Sequence, residues 1–107
     1  MESVKFQKSL NGQGRLTSLE IGGMLVLENS QQLKNELIGV IFTLSDEVKI
    51  TISGADEIDL SCIQLFMAFI RRLDEINVTY EFIWNLDEDQ KSLWENVGLS
   101  KKIFMTN

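Results

Sequence analysis

Residues 48–76, VKITISGADEIDLSCIQLFMAFIRRLDEI, switch periodicity once, and that switch sets the architecture. Val48, Ile50 and Ile52 alternate with Lys49, Thr51 and Ser53, the two-residue period of a half-buried strand. Gly54 is expected to break that strand, and Asp56, Glu57 and Asp59 then crowd what reads as a loop. From Leu60 or Ser61 onward, Ile63, Phe66, Ile70 and Leu73 recur at helical spacing, as do Leu65, Phe69 and Ile76. A helix with this much apolar surface does not stand alone and must pack on the sheet that holds the strand. In sheets with parallel strands, ligands and partners gather at strand C-terminal ends, where helix N-termini present free N–H groups. The segment 55–61 is therefore the expected functional region.

The flanking sequence supplies the other elements. Val4 and Phe6 share one face of residues 3–10, the run 11–14 is turn-forming, and Thr17, Leu19 and Ile21 alternate with Ser18 and Glu20. This predicts an antiparallel pair, with Gly22 and Gly23 ending or bending its second strand. Residues 24–28, MLVLE, leave strand and helix approach both open. Asn29 with Gln32 has the spacing of a capping box, followed by a stripe of Leu33, Leu37, Ile41 and Leu44 with Ile38. Gly39 inside that helix costs about 1 kcal/mol against Ala, which close packing would explain. Beyond Asn77, Val78, Tyr80, Phe82 and Trp84 alternate with Thr79 and Glu81. Asp87 with Gln90 repeats the capping pattern, Leu93, Trp94 and Val97 form a short stripe, Gly98 is a stop, and 101–107 reads as a last turn or short strand. The order β-β-α-β-α-β-α predicts an α/β domain over 1–107. Its mixed β-sheet has an antiparallel first pair and then parallel strands joined by right-handed crossovers. Because the strands alternate instead of reading as solid apolar runs, the helices are expected mainly on one face.

Composition narrows the function classes. A net charge of −6 argues against phosphate-backbone binding, so nucleic acid is not an expected partner. There is no histidine, which removes the commonest general base and transition-metal ligand, and no nucleophile–base pair is recognisable. The expectation is a non-enzyme with no catalytic residue, no cofactor and no metal. Cys62 is the only cysteine, compatible with a reducing cytosol. The N-terminal residues lack the apolar core of a signal peptide, and no apolar run approaches the ~20 residues of a membrane span. A cytoplasmic protein without membrane insertion is expected.

Three stretches resemble the STAS domain, the fold of bacterial anti-sigma factor antagonists: residues 23–33, the run Ile58-Asp59-Leu60-Ser61-Cys62-Ile63, and residues 85–99 ending Asn96-Val97-Gly98-Leu99. The resemblance extends over about residues 15–104. It implies a signalling and transcription-regulating module that binds a protein and performs no chemistry. In the family a serine directly after the Asp is phosphorylated by an anti-sigma factor that is also a kinase, which ends the interaction. That position is Leu60 here, which accepts no phosphate. Ser61 matches the next position, and Cys62 stands in place of the usual glycine. The run is also similar to STAS proteins of chemotaxis or two-component operons and of lipid-transport systems. The resemblance thus implies an anti-sigma factor kinase, a signalling kinase or a transporter subunit as partner, with a homodimer as a further option.

The contact surface is expected on Asp56, Glu57, Asp59, Leu60, Ser61 and Ile63. Each has a plainer alternative. Asp59 also suits an N-cap. Ser61, the candidate phosphorylation site, also suits an N-cap boxed by Gln64. Leu60 either meets a partner or joins the core. Asp56, Glu57 and Asp59 either bind a hard cation or form a solvated acidic loop, and Cys62 is either a reactive thiol or a buried inert one. A function of another class is a receiver-like phosphotransfer domain with Asp59 as acceptor, although no acidic pair follows the first strand.

Overall fold

The computed structural model describes residues 3–89. The expected last helix is described only at its start, residues 87–89. Its stripe Leu93, Trp94 and Val97, the stop at Gly98 and the segment 101–107 lie outside the described residues.

Strand β1 (Val4–Leu10) turns back into β2 (Leu16–Leu25), and the two pair antiparallel. The Asn11 side chain holds the turn by accepting the N–H groups of Gln13 and Arg15 at 2.9 and 3.0 Å. A 3₁₀ turn (Leu27–Asn29) leads into α1 (Ser30–Ile41). Then follow β3 (Leu44–Ile58), α2 (Leu60–Glu75) and β4 (Thr79–Trp84). The sheet order is β1-β2-β3-β4, with β2, β3 and β4 mutually parallel. This is the mixed α/β sheet that the order of periodicities predicts. Two successive right-handed crossovers stepping in one direction across a sheet place both helices on the same face.

That face holds the core. Ile21, Ile50, Ile52 and Trp84 of the sheet are sealed against Leu33 and Leu37 of α1 and Ile63, Phe66 and Leu73 of α2. Each such side chain contributes about 1.5–3 kcal/mol of burial free energy before ordering costs. Phe66 stands edge-on to both Phe82 and Trp84, with ring centroids 6.1 and 5.6 Å away. This T-shaped arrangement fixes α2 over β4.

Four local expectations are corrected. Gly54 does not end its strand. β3 runs through it to Ile58, so residues 55–58 are strand and not loop. The cause lies in the facing strand: Gly54 has φ 64° and Gly23 has φ 85°, and the β2–β3 register shifts on both sides of Gly23. Matched glycines let both strands bulge together and resume pairing. Second, Asn29 forms no capping box with Gln32. Its backbone, already turned by the 3₁₀ segment (φ −104°, ψ 3°), makes no side-chain cap bond, and its amide donates to the Met24 carbonyl at 2.9 Å. Third, Gly39 is not explained by close packing, since a Cβ there meets nothing within 4 Å. Fourth, Leu44 belongs to β3 and not to the helical stripe, whose buried members are Leu33, Leu37 and Val40. Among the described residues no helix is long and apolar enough to cross a membrane.

Candidate functional site: the Asp59 junction

Because β3 ends at Ile58 and α2 begins at Leu60, Asp59 alone links them. Its backbone is extended (φ −125°, ψ 176°), as an N-cap requires. Its N–H donates to the Leu25 carbonyl at 2.9 Å, prolonging the β2–β3 ladder by one bond. Its carboxylate then works on two elements at once. Oδ2 accepts the Leu27 N–H at 2.8 Å, where β2 passes into the 3₁₀ turn. Oδ1 accepts the Cys62 N–H at 3.4 Å and the Ser61 hydroxyl. One side chain thus caps α2 and ties its start to the entry of α1. Hydrogen bonds to an ionised acceptor are about twice as strong as neutral ones, and the helix N-terminus adds favourable electrostatics.

This settles the two capping alternatives. Asp59 is the N-cap, and Ser61 is not. Ser61 lies inside the first turn of α2, half-buried, with its hydroxyl donated to Asp59. A phosphate on that oxygen removes the donated hydrogen and sets a dianion against a carboxylate.

The junction separates the six expected contact residues into three groups. Leu60 is 42 % exposed, the first residue of α2, and points away from the core. Asp56 and Glu57 are exposed on the last stretch of β3. As neighbours in a strand they face opposite sides of the sheet, so they do not converge with Asp59 on one cation. Among the described residues no three of the histidine, cysteine, aspartate and glutamate side chains form a metal cluster. Ile63 is the correction here: it is fully buried, sealed against the sheet one turn into α2, and offers nothing to a partner.

Leu27 is the residue that sequence reasoning missed. It is 64 % exposed and hydrogen-bonded through its N–H to Asp59, so it stands at the rim of the same junction. Its signal was the apolar run 24–27, which continues two residues beyond the strand that ends at Leu25. Leu27 and Leu60 thus both lie next to Asp59, one through its hydrogen bond and the other in sequence, and Glu28, beside Leu27, is exposed as well.

Cys62 is buried directly beneath, its thiol 3.6 Å from the Val26 carbonyl. Burial first, and the Asp59 charge second, push its pKa up to about 11, against a smaller opposing effect of the Ser61 hydroxyl. The thiol stays protonated near neutrality, so Cys62 is an inert core residue, not a reactive one. Among the described residues the sheet also departs from the doubly wound, all-parallel design with helices on both faces that receiver-type domains use: β1 is antiparallel, and α1 and α2 share one face.

No protein-family model and no curated protein matches the chain.

Proposed function

We propose that this chain is a non-enzymatic regulatory binding module of the kind its sequence resembles, a STAS-like antagonist. It acts by protein–protein contact at the Asp59 junction. The observation that carries this reading is the pair of exposed leucines, Leu27 and Leu60, each adjacent to the hydrogen-bonded carboxylate of Asp59 through its backbone. Exposed Leu side chains are ordinary singly. Two of them at one strand–helix junction, with the exposed Glu28 beside Leu27 and the exposed Asp56 and Glu57 just upstream in β3, suit a contact site with an apolar centre and an acidic surround. Because Asp59 bonds both chain segments, this surface is pre-organised, and binding loses little to ordering. The acidic surround favours a partner with Lys or Arg around an apolar patch.

Regulation at the position after the Asp is closed off by Leu60. Ser61 offers a different kind of control, since phosphorylation there breaks its bond to Asp59 and loosens the junction itself. The partner class is an anti-sigma factor kinase, with a signalling kinase or a transporter subunit as the alternatives, and the proposed location is the cytoplasm.

The test is calorimetric titration of the purified chain with the anti-sigma factor kinases of its genome, followed by intact mass after addition of ATP. Saturable binding that a Leu60→Glu variant weakens about tenfold, or ~1.4 kcal/mol, is the expected result. No binding to any of them transfers the reading to the signalling or transport partners. A labile phosphoryl adduct on Asp59 after acetyl phosphate and magnesium replaces it with phosphotransfer.

A further inference from the structure

The outer surface of the helical layer carries a second feature, remote in chemistry from the acidic junction. Between α1 and α2 runs an open trough of about 380 Å³. One wall is the row Ile38, Ile41 and Phe42, and the other is Leu65 with Phe69. Ala68, between them in sequence, adds little bulk to that wall. Ile38 is 48 % and Phe42 76 % exposed, although the rest of their helix buries its large apolar side chains or half-buries them.

Among the described residues, the charged ones lining the trough are both cations: Lys34 on α1 and Arg72 on α2. Arg15 reaches the same end as Phe42, donating to its carbonyl at 3.0 Å. Three of the chain's ten basic residues thus border this groove, in a protein with sixteen acidic ones, and among the described residues no carboxylate lines it. Arg72 holds Glu75 at 3.4 Å, but that pair is exposed and lies along one helix, so the guanidinium is free to exchange partners.

We propose that the trough between α1 and α2 seats an amphipathic helix from a partner protein, with carboxylates beside its apolar stripe. The shape supports it. Two parallel helices leave a furrow into which the ridge of a third packs, reading anchors at helical spacing. The charge selects the flanks: carboxylates on the incoming helix meet Lys34 at one end and Arg15 and Arg72 at the other. A second copy packing trough to trough fits less well, because it brings further cations onto the same apolar patch with no carboxylate among the described lining residues to offset them. The site is independent of the Asp59 junction and does not rest on the function proposed for it.

The probe is a fluorescein-labelled synthetic helix of about 18 residues, with leucines at heptad spacing and glutamates on both flanks. A control peptide carries lysines at the same flanks. Fluorescence anisotropy is expected to give the glutamate peptide a Kd at least about tenfold below that of the control. The Ile38→Glu/Phe42→Glu variant is expected to abolish that difference and Lys34→Glu/Arg72→Glu to reverse it, all at unchanged melting temperature, since these side chains are surface-exposed. Leu60→Glu leaves peptide binding unchanged, which separates this site from the junction. Equal binding of both peptides overturns the proposal. So does an unaltered affinity in the Ile38→Glu/Phe42→Glu variant, a concentration-dependent dimer that this variant dissolves, or adsorption of the protein to phosphatidylcholine–phosphatidylglycerol vesicles that the variant removes.

Discussion

Asp59 concentrates more structure than any neighbouring side chain: it accepts from Leu27, Ser61 and Cys62 while its own N–H extends the sheet. Asp59→Ala removes the cap and the tie together, and is expected to cost about 1–2 kcal/mol in urea unfolding. Asp59→Asn, which keeps an acceptor, should cost less. Cys62 gives a pH signature. Its folded pKa is raised from 9.0 to about 11, so the folded state binds the proton more tightly than the unfolded chain. The associated stability is complete below pH 9 and is lost as pH rises towards 11. Cys62→Ala should remove that part of the alkaline decline, measured as the difference between the two proteins' denaturation midpoints across this window. Alkylation by iodoacetamide at pH 8 should be slow in the native protein and fast in urea.

At the scale of elements, the glycines divide into those the fold requires and one it does not. A Cβ on Gly22 runs into the backbone carbonyl of Ser53 across the β2–β3 bulge. Gly22→Ala is therefore expected to destabilise by about 1–3 kcal/mol, as overpacking does. Gly39 is the opposite case, with open space around it and an ordinary helical backbone. Gly39→Ala should raise stability by up to about 1 kcal/mol in the same assay. These residues also show what local sequence conveys. The alternation of Val48, Ile50 and Ile52 and the helical rows of 60–76 reported their elements directly, because burial on one side leaves a period behind. Gly54 misled because a glycine signals conformational freedom, not a stop; whether the strand resumes depends on Gly22 and Gly23, some thirty residues away in β2. Asn29 misled for a similar reason, since its capping role was displaced by a 3₁₀ turn that no nearby pattern announces. Asp59 was legible as a cap and as a site, but its bond to Leu27 arises from the β2–β3 register, where Leu25 pairs with Ile58. Ile63 belonged to the buried stripe all along; proximity in sequence to the junction is not exposure.

On the scale of the whole molecule, one face of the sheet and both helices enclose the core, and the described surface offers two apolar sites of opposite electrostatic setting. The junction at the ends of β2 and β3 has exposed carboxylates nearby in the chain, and the trough between α1 and α2 is bordered by cations. The junction is the more constrained of the two, because its exposed leucines sit on backbone that Asp59 holds in place. The most direct measurement is a quantitative affinity comparison from lysate of the source cells, wild type against Leu27→Glu/Leu60→Glu, with circular dichroism melts of both. The predicted result is unchanged melting and a specific partner depleted about tenfold or more from the variant. An identical set of captured proteins at identical stability would contradict a docking role for the Asp59 junction.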